Sequence, residues 1–141
     1  MNIHIIGIGL IGGSFALDIK SAFTDAKIFG IDANQEHLNK AKSLRLIDCI
    51  STIEAIGSAD VVIVAIPVDV NIKVVGQVLD KVKDDCLVID TGSTKSGLCE
   101  ALGNHPKRRN LLAAHPISGT EFSGPEAAQP DLYRNKTMII C

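Results

Sequence analysis

The chain has 141 residues, of which 46% are hydrophobic and 21% charged. That length and composition are typical of one soluble globular domain and exclude a disordered chain. Its formal net charge of −2 provides no positive excess for a phosphate backbone, which argues against nucleic-acid binding. Only 4% of the residues are aromatic and none is Trp, so a base-stacking platform is not expected.

The cysteines and the apolar stretches indicate a cytoplasmic protein without a membrane span. None of the four cysteines belongs to a C-x-x-C pair, so we expect reduced thiols rather than a zinc or redox site. The apolar start of the chain lacks a basic region and is interrupted by glycines, unlike a signal peptide. The longest apolar run, Val61–Val68, is far too short to cross a membrane.

Short apolar runs alternate with amphipathic helical segments along the chain. The first predicted elements are a strand at Ile3–Ile6, a helix over Leu10–Ala22, a strand at Lys27–Ile31, a helix over Gln35–Leu44, a strand at Asp48–Ile50 and a short helix near Ile53. Next come a strand at Val61–Ile66, a helix over Val70–Val82, a strand at Leu87–Ile89, a helix over Thr94–Leu102, and strands at Leu111–Ala114 and Thr137–Ile140. This alternation predicts a Rossmann-type, doubly wound α/β fold, with helices on both faces of a mainly parallel sheet.

The end of the chain departs from this alternation. The residues from His115 to Arg134 form the longest irregular stretch, and a loop of that length is more often functional than accidental. The final residues, Met138–Cys141, resemble a buried strand, so we expect the chain to be one domain of a longer polypeptide. A last strand at the edge of the sheet is the alternative.

A glycine motif follows the first predicted strand and opens the first predicted helix. It reads G-x-G-x-x-G from Gly7 to Gly12, in the context that dinucleotide binding requires. Gly7 permits the tight turn, Gly9 lets a pyrophosphate approach the backbone, and Gly12 lets the helix pack closely on the sheet. The N–H groups of Leu10 and Ile11, in the first helical turn, are then expected to hold the phosphates. A glycine-rich turn without a ligand is the alternative.

An acidic residue follows the second predicted strand. Asp32 lies twenty positions beyond Gly12, where dinucleotide-binding folds place the carboxylate that accepts the adenosine-ribose hydroxyls. A carboxylate there favours NAD over NADP, because a 2′-phosphate would face its charge, and no Arg or Lys lies at 33 or 34. The alternative is a surface Asp without a ligand.

Three segments, in order along the chain, resemble motifs of the prephenate and arogenate dehydrogenase family. They are GLIGGS at Gly9–Ser14, DTGSTK at Asp90–Lys95 and HPISGTEFSGPEAA at His115–Ala128. The only departure in the third segment is Ser118, where the family usually has Ala. The resemblance implies an NAD-dependent oxidative decarboxylation of prephenate to 4-hydroxyphenylpyruvate, in tyrosine biosynthesis.

The same resemblance implies roles for single residues. His115 is expected to be the general base that takes the proton of the substrate hydroxyl, with a structural loop residue as the alternative. Ser93 is expected to align that hydroxyl, or to cap the following helix, or both. Thr120 and Glu121 are expected to line the substrate pocket, and a solvated loop carboxylate is the alternative for Glu121.

Further expectations concern the walls of the site and the remaining histidines. Pro67 and Val68 resemble the family's apolar wall near the nicotinamide, and Lys95 either attracts the substrate's negative charge or lies on a helix surface. The other histidines have no metal-ligand spacing and are expected to be structural, so we expect no metal. They are His4, His37 and His105.

In this family a helical domain follows the nucleotide-binding domain, dimerises, closes the cleft and supplies an arginine for the substrate carboxylate. The resemblance therefore implies that residues 1–141 are the dinucleotide-binding domain and that the full-length protein is a homodimer. We expect the isolated domain to hold NAD and to turn over prephenate poorly or not at all. An arogenate dehydrogenase, another hydroxyacid dehydrogenase and a non-catalytic NAD-binding sensor remain as alternatives.

Overall fold

Seven strands form one sheet, and helices cover both of its faces. The computed structural model describes residues 1–141. Its strands are β1 (Asn2–Ile6), β2 (Lys27–Ile31), β3 (Cys49–Ile50), β4 (Val61–Val64), β5 (Leu87–Asp90), β6 (Leu111–Pro116) and β7 (Met138–Ile140). Its helices are α1 (Leu10–Ala22), α2 (Gln35–Ser43), α3 (Val68–Lys81) and α4 (Ser96–Leu102), and 3-10 helices cover Ile53–Ser58, Arg108–Asn110 and Pro125–Ala127.

The strand order is β3-β2-β1-β4-β5-β6-β7. The first six strands are parallel, and β7 pairs antiparallel with β6. The order runs outwards in both directions from the neighbouring strands β1 and β4, which is the doubly wound arrangement. The predicted Rossmann-type α/β fold is confirmed.

Two apolar cores lie on opposite faces of the sheet. Ile3 and Ile5 of β1 pack into a cluster of 10 buried residues that also contains side chains of α1 and α2. Ile6 of the same strand packs into a cluster of 16 buried residues with side chains of α3 and α4. Because successive side chains of a strand point to opposite faces, a strand between two cores reads as an unbroken apolar run.

Several element boundaries differ from the sequence prediction in ways that affect the site. The strand β6 continues through Pro116, so His115 lies within the strand and not after it. Helix α4 begins at Ser96 and its N-cap position is Lys95, so the prediction that Ser93 caps this helix is wrong. Helix α3 begins at Val68, two residues earlier than predicted.

The last strand lies at the edge of the sheet. Within residues 1–141, Met138 is 39% exposed and Ile140 is 63% exposed, so no element of these residues covers the strand. Among these residues β7 pairs with β6 alone, so it is the outermost strand of the sheet. An apolar run predicts a strand, but it does not indicate whether another element covers its faces.

A buried histidine in β1 leads to a prediction about stability. His4 is 2% exposed, its ring stacks on Phe29 with the centroids 4.6 Å apart, and its Nδ1 has no hydrogen-bond partner. Burial lowers the pKa of His4 below its ordinary value of 6.5, because the imidazolium would lose its hydration. The unfolded chain therefore binds a proton more readily than the folded chain, and stability falls as the pH drops through 6.5.

We expect the free energy of unfolding to decline between pH 7 and pH 5, and His4→Phe to remove part of that decline. The phenyl ring preserves the stack on Phe29 and has no titrating group. Urea unfolding of both proteins at several pH values measures the two slopes. Equal slopes in this interval would contradict the assignment of the decline to His4.

Candidate functional site

The largest candidate site is a cleft at the carboxyl ends of the parallel strands, where β1 and β4 lie side by side. Its volume is about 710 Å³. In doubly wound sheets this switch point is where ligands bind, because the connections after the two strands diverge there to opposite faces. The lining residues are Ile6, Gly7, Gly9, Ile31, Asp32, Ala33, His37, Ile53, Ala65, Ile66, Pro67, Val70 and Val74.

The glycine turn between β1 and α1 has the backbone that its sequence predicts. Gly7 has a φ of +88°, which side-chain-bearing residues rarely adopt, and its N–H donates to the carbonyl oxygen of Ile31 at 2.8 Å. A Cβ on Gly12 would overlap the carbonyl oxygen of Gly7, so only glycine lets α1 pack this closely against the turn. These two glycines therefore shape the turn itself.

Gly9, unlike Gly7 and Gly12, faces open space. A Cβ on Gly9 would meet no atom within 4 Å, so nothing in the chain itself requires a glycine here. Gly9 is also the N-cap of α1, and no side chain caps this helix. The N–H groups of the first turn, among them those of Leu10 and Ile11, are therefore not capped by a side chain, and the space beside Gly9 is open. This is an anion-binding arrangement, because free N–H groups and the positive end of the helix dipole face the same space.

Asp32 connects the glycine turn to the start of α2. Its Oδ2 accepts from the N–H of Ile8 at 2.9 Å, and its Oδ1 accepts from the N–H of Asn34 at 2.9 Å. The side chain is only 13% exposed and lines the cleft. A carboxylate oxygen can accept more than one hydrogen bond, so Asp32 can also accept from ribose hydroxyls without releasing the turn.

His37 was predicted to be structural, and the structure places it in the cleft. Its Nδ1 lies 3.7 Å from Oδ2 of Asp32. Helix α2 follows the Asp32 loop after an N-cap at Asn34, so its first turn faces the same space. The short connection between Asp32 and α2 could have indicated that the first turn of this helix lies near the cleft. The polar sequence of α2 does not show which side of the helix faces the cleft. The apolar lining residues Ile53, Val70 and Val74 were also missed.

The two residues expected to form an apolar wall, Pro67 and Val68, lie at different places along this edge of the sheet. Pro67 lines the cleft, whereas Val68 does not. Val68 is 40% exposed and packs beside Gly92, in the turn that follows β5. Val68 therefore lies near the turn after β5, which contains Ser93.

The turn after β5 and the end of β6 bring Ser93 and His115 to the same edge of the sheet. These strands are parallel neighbours, with Asp90 paired to Ala113. His115 is half-buried, and its Nδ1 lies 3.4 Å from the carbonyl oxygen of Thr91. If Nδ1 carries the proton and donates to this oxygen, Nε2 remains an acceptor. Ser93 is exposed in the turn between β5 and α4.

A buried ion pair holds the turn that carries Ser93. Asp90 is fully buried; its Oδ1 accepts from Nδ2 of Asn71 at 2.6 Å and from the N–H of Gly92 at 3.0 Å, and its Oδ2 pairs with Nζ of Lys95. The Lys95 side chain is only 9% exposed. The expectation that Lys95 lies on a helix surface is therefore wrong. Asp90 also offsets the positive charge of Lys95, which was expected to attract the negatively charged substrate.

The segment after β6 runs over the outer side of α1. The hydroxyl of Tyr133 donates to the carbonyl oxygen of Ile11 at 2.6 Å, and the N–H of Gln129 donates to Oγ of Ser14 at 3.0 Å. The Tyr133 ring stacks on Phe15 with the centroids 4.2 Å apart. These contacts tie the loop to the start of α1, and Ala128, the last residue of the third resembling segment, lies against Gly13 of the first.

Thr120 and Glu121 are exposed in the same connection, outside the large cleft. Oγ1 of Thr120 accepts from the N–H of Phe122 at 3.2 Å. Thr120 also lines a separate cavity of about 440 Å³ that is formed by residues 117–120, 129–132 and 136. Glu121 lines neither space, so its side chain projects from the loop without a partner.

No group of three or more His, Cys, Asp or Glu side chains is placed to hold a metal ion. All four cysteines are free, and burial raises the pKa of the Cys86 thiol to about 11. No helix has both the length and the apolar character needed to cross a membrane.

Comparison with known proteins identifies the family. Residues 15–141 match the family described as prephenate dehydrogenase, nucleotide-binding domain. The prephenate dehydrogenase of Lactococcus lactis subsp. cremoris is 35% identical over 143 residues, which cover 98% of this chain and 40% of that protein. The cyclohexadienyl dehydrogenase of Zymomonas mobilis subsp. mobilis is 30% identical, over 99% of this chain and 48% of that protein.

A solved structure agrees with these sequence relatives. The crystal structure of prephenate dehydrogenase from A. aeolicus, in complex with hydroxyphenyl propionate and NAD+, matches with a TM-score of 0.90 and 33% identity, over 99% of this chain and 50% of that chain. The chain thus spans between 40% and 50% of the length of these three proteins. The chain belongs to the prephenate dehydrogenase family and corresponds to the nucleotide-binding domain of that family.

Proposed function

We propose that the chain binds NAD and is the nucleotide-binding domain of an enzyme that oxidatively decarboxylates prephenate to 4-hydroxyphenylpyruvate, a step of tyrosine biosynthesis. The observation that carries this proposal is the placement of an open glycine turn, a cleft carboxylate and a half-buried histidine along one edge of the sheet. They are Gly9, Asp32 and His115. The names of the relatives from L. lactis and A. aeolicus support prephenate as the substrate. Arogenate is the second candidate.

The residues that line the cleft fit the parts of NAD. The N–H groups at the start of α1 would hold the pyrophosphate over Gly9, and Asp32 would accept the hydroxyls of the adenosine ribose. The apolar side chains of Ile53, Val70 and Val74 would contact the adenine ring. When bound, NAD supplies a hydride acceptor for C4 of the substrate.

His115 is proposed to remove the proton of the substrate hydroxyl through Nε2 while Nδ1 donates to the carbonyl oxygen of Thr91. Ser93 would accept or donate one hydrogen bond that aligns this hydroxyl with His115. Loss of CO2 from the oxidised ring then gives the aromatic product as a phenolate, which takes back the proton held by His115. The protein has mainly to orient the substrate and to hold this one proton. Thr120 and Glu121 are proposed to contact the substrate from the loop after β6.

We also propose that the full-length protein has a helical domain after residue 141, through which it dimerises, and that this domain supplies the contact to the substrate carboxylate. This part rests on the family resemblance and on the share of the relatives' length that the chain spans. It implies that residues 1–141 alone bind NAD but turn over prephenate poorly or not at all. Assays of the full-length protein and of the 141-residue chain under the same conditions test it.

Replacing Asp32 by Asn tests the cofactor assignment. The intact chain is expected to bind NAD more tightly than NADP, and Asp32→Asn to weaken NAD binding by about 1.5–3 kcal/mol, the range for hydrogen bonds to a charged group. The affinity for NADP should not fall in parallel, because the repulsion of the 2′-phosphate is removed. Asn keeps an acceptor oxygen for one of the two backbone N–H groups that Asp32 binds, those of Ile8 and Asn34, whereas Ala keeps none. Calorimetric titration measures all four affinities.

A matched control is Asp25→Asn, because the Asp25 side chain is 83% exposed and does not line the cleft. It should leave both affinities unchanged. An intact chain that prefers NADP would refute the assignment of Asp32.

A further inference from the structure

His37 lies beside the carboxylate that is proposed to select the cofactor. It is in the first turn of α2, and its Nδ1 is 3.7 Å from Oδ2 of Asp32. Both side chains line the same end of the cleft, together with Ala33 and Ile53. The His37 side chain is 40% exposed, so it is accessible to solvent and to a ligand.

The charged groups around His37 are few and come from three parts of the chain. Asp32 faces it from the end of β2, and Glu126 belongs to the 3-10 helix at Pro125–Ala127, which packs against α2. On α2 itself, Glu36 precedes it, and Lys40, one turn later, pairs with Glu126 at 3.2 Å. Lys40 is thus engaged by Glu126, whereas Asp32 has no lysine or arginine partner. His37 is the side chain that can bring a positive charge to Asp32.

A positive charge at His37 would change the preference of the cleft for NAD over NADP. The 2′-hydroxyl of NAD carries a phosphate in NADP, and Asp32 repels that phosphate when its own charge is uncompensated. Histidine side chains ordinarily change charge between pH 5 and pH 8. An imidazolium 3.7 Å from Oδ2 would offset the carboxylate and attract the phosphate.

We propose that His37 is a specificity-determining residue whose protonation reduces the preference of the cleft for NAD over NADP. The proposal rests on the proposed function, since it assumes that the adenosine ribose lies on Asp32. It predicts that the ratio of the two affinities depends on pH through His37.

ADP-ribose and 2′-phospho-ADP-ribose are the sharpest probes, because they differ only at the group that His37 is proposed to sense. Their dissociation constants are to be measured by calorimetry at pH 6 and pH 8. From pH 8 to pH 6, the preference of the wild-type chain for ADP-ribose over 2′-phospho-ADP-ribose should fall. We expect this fall to be about two- to fivefold larger than the fall in His37→Gln, as for a solvent-screened ion pair. The 2′-phosphate itself also titrates near pH 6, but it does so with both proteins, so the comparison isolates His37.

A second variant gives a gain of function. His37→Lys carries its charge at both pH values, so it should bind 2′-phospho-ADP-ribose more tightly than His37→Gln at pH 8 as well as at pH 6. His105→Gln is the matched control, because His105 pairs with Asp80 at 3.2 Å and does not line the cleft. It should behave as the wild type.

The outcomes separate this inference from the proposed function. Tight binding of ADP-ribose with the same pH dependence in the wild type and in His37→Gln would overturn the role of His37 alone. Failure of His37→Lys to improve the binding of the phosphorylated probe over His37→Gln would also overturn it. If the wild-type chain binds neither probe, the proposed function fails and this inference fails with it.

Discussion

In the full-length protein, His115→Asn is expected to lower kcat by about 10²–10⁴, the range for loss of a general base. Asn can still donate to the carbonyl oxygen of Thr91, which lies 3.4 Å from Nδ1 of His115, but it has no imidazole nitrogen to take the proton of the substrate hydroxyl. The affinity for NAD should hardly change, because the proposed phosphate and ribose contacts lie at Gly9 and Asp32. Steady-state kinetics with prephenate and a separate NAD titration measure the two effects.

The pH profile distinguishes a base from a structural residue. The decline of kcat/KM at acidic pH, where the base is protonated, should disappear in His115→Asn. Ser93→Ala should lower kcat less, because it removes one aligning hydrogen bond and leaves the base in place. His105→Asn is the matched control, since His105 precedes β6 and does not line the cleft. Near-normal turnover of His115→Asn, with its acidic decline intact, would show that the base lies elsewhere.

The second large effect is expected at the phosphate turn. Gly9→Val should weaken NAD binding by more than about 100-fold, because a branched side chain would fill the space where the pyrophosphate is proposed to lie against the backbone. The fold should be retained, since a Cβ at Gly9 meets no atom within 4 Å and the φ of −96° suits any residue. Calorimetry measures the affinity for NAD, and thermal unfolding measures whether the fold is retained.

Substitutions of two other glycines serve as controls for this prediction. Gly119→Val also places its Cβ in open space, but outside the cleft, so NAD binding should be unchanged. Gly12→Ala should instead lower the stability, because its Cβ would overlap the carbonyl oxygen of Gly7. A Gly9→Val chain that is fully folded and binds NAD with the wild-type affinity would mean that the turn holds no phosphate.

The fold could be predicted because its signals are local. Continuous apolar runs identify strands that lie between two cores, and the helical spacing between them identifies the crossovers, so helix α1 and strand β2 have the predicted bounds. The glycine turn was predictable for the same reason. Gly7 needs a positive φ and Gly12 needs close packing, and both requirements arise within six residues of the chain.

The features that could not be predicted depend on how elements face one another. The role of His37 depends on the rotation of α2 about its axis, which a polar helix does not reveal. The pairing of Lys95 with Asp90 depends on the irregular turn between β5 and α4, so it follows no helical or strand spacing. The position of β7 depends on which strand it pairs with, and the apolar run at Met138–Ile140 does not indicate its partner.

The central claim is that the cleft orients NAD from the glycine turn towards His115. A crystal structure of the chain with NAD+ tests it most directly. We predict that the pyrophosphate lies on the N–H groups at the start of α1, that the adenosine ribose lies on Asp32, and that the nicotinamide ring lies beside Pro67 on the side of Ser93 and His115. A dinucleotide bound outside this cleft, or one whose nicotinamide ring points away from His115, would contradict the account.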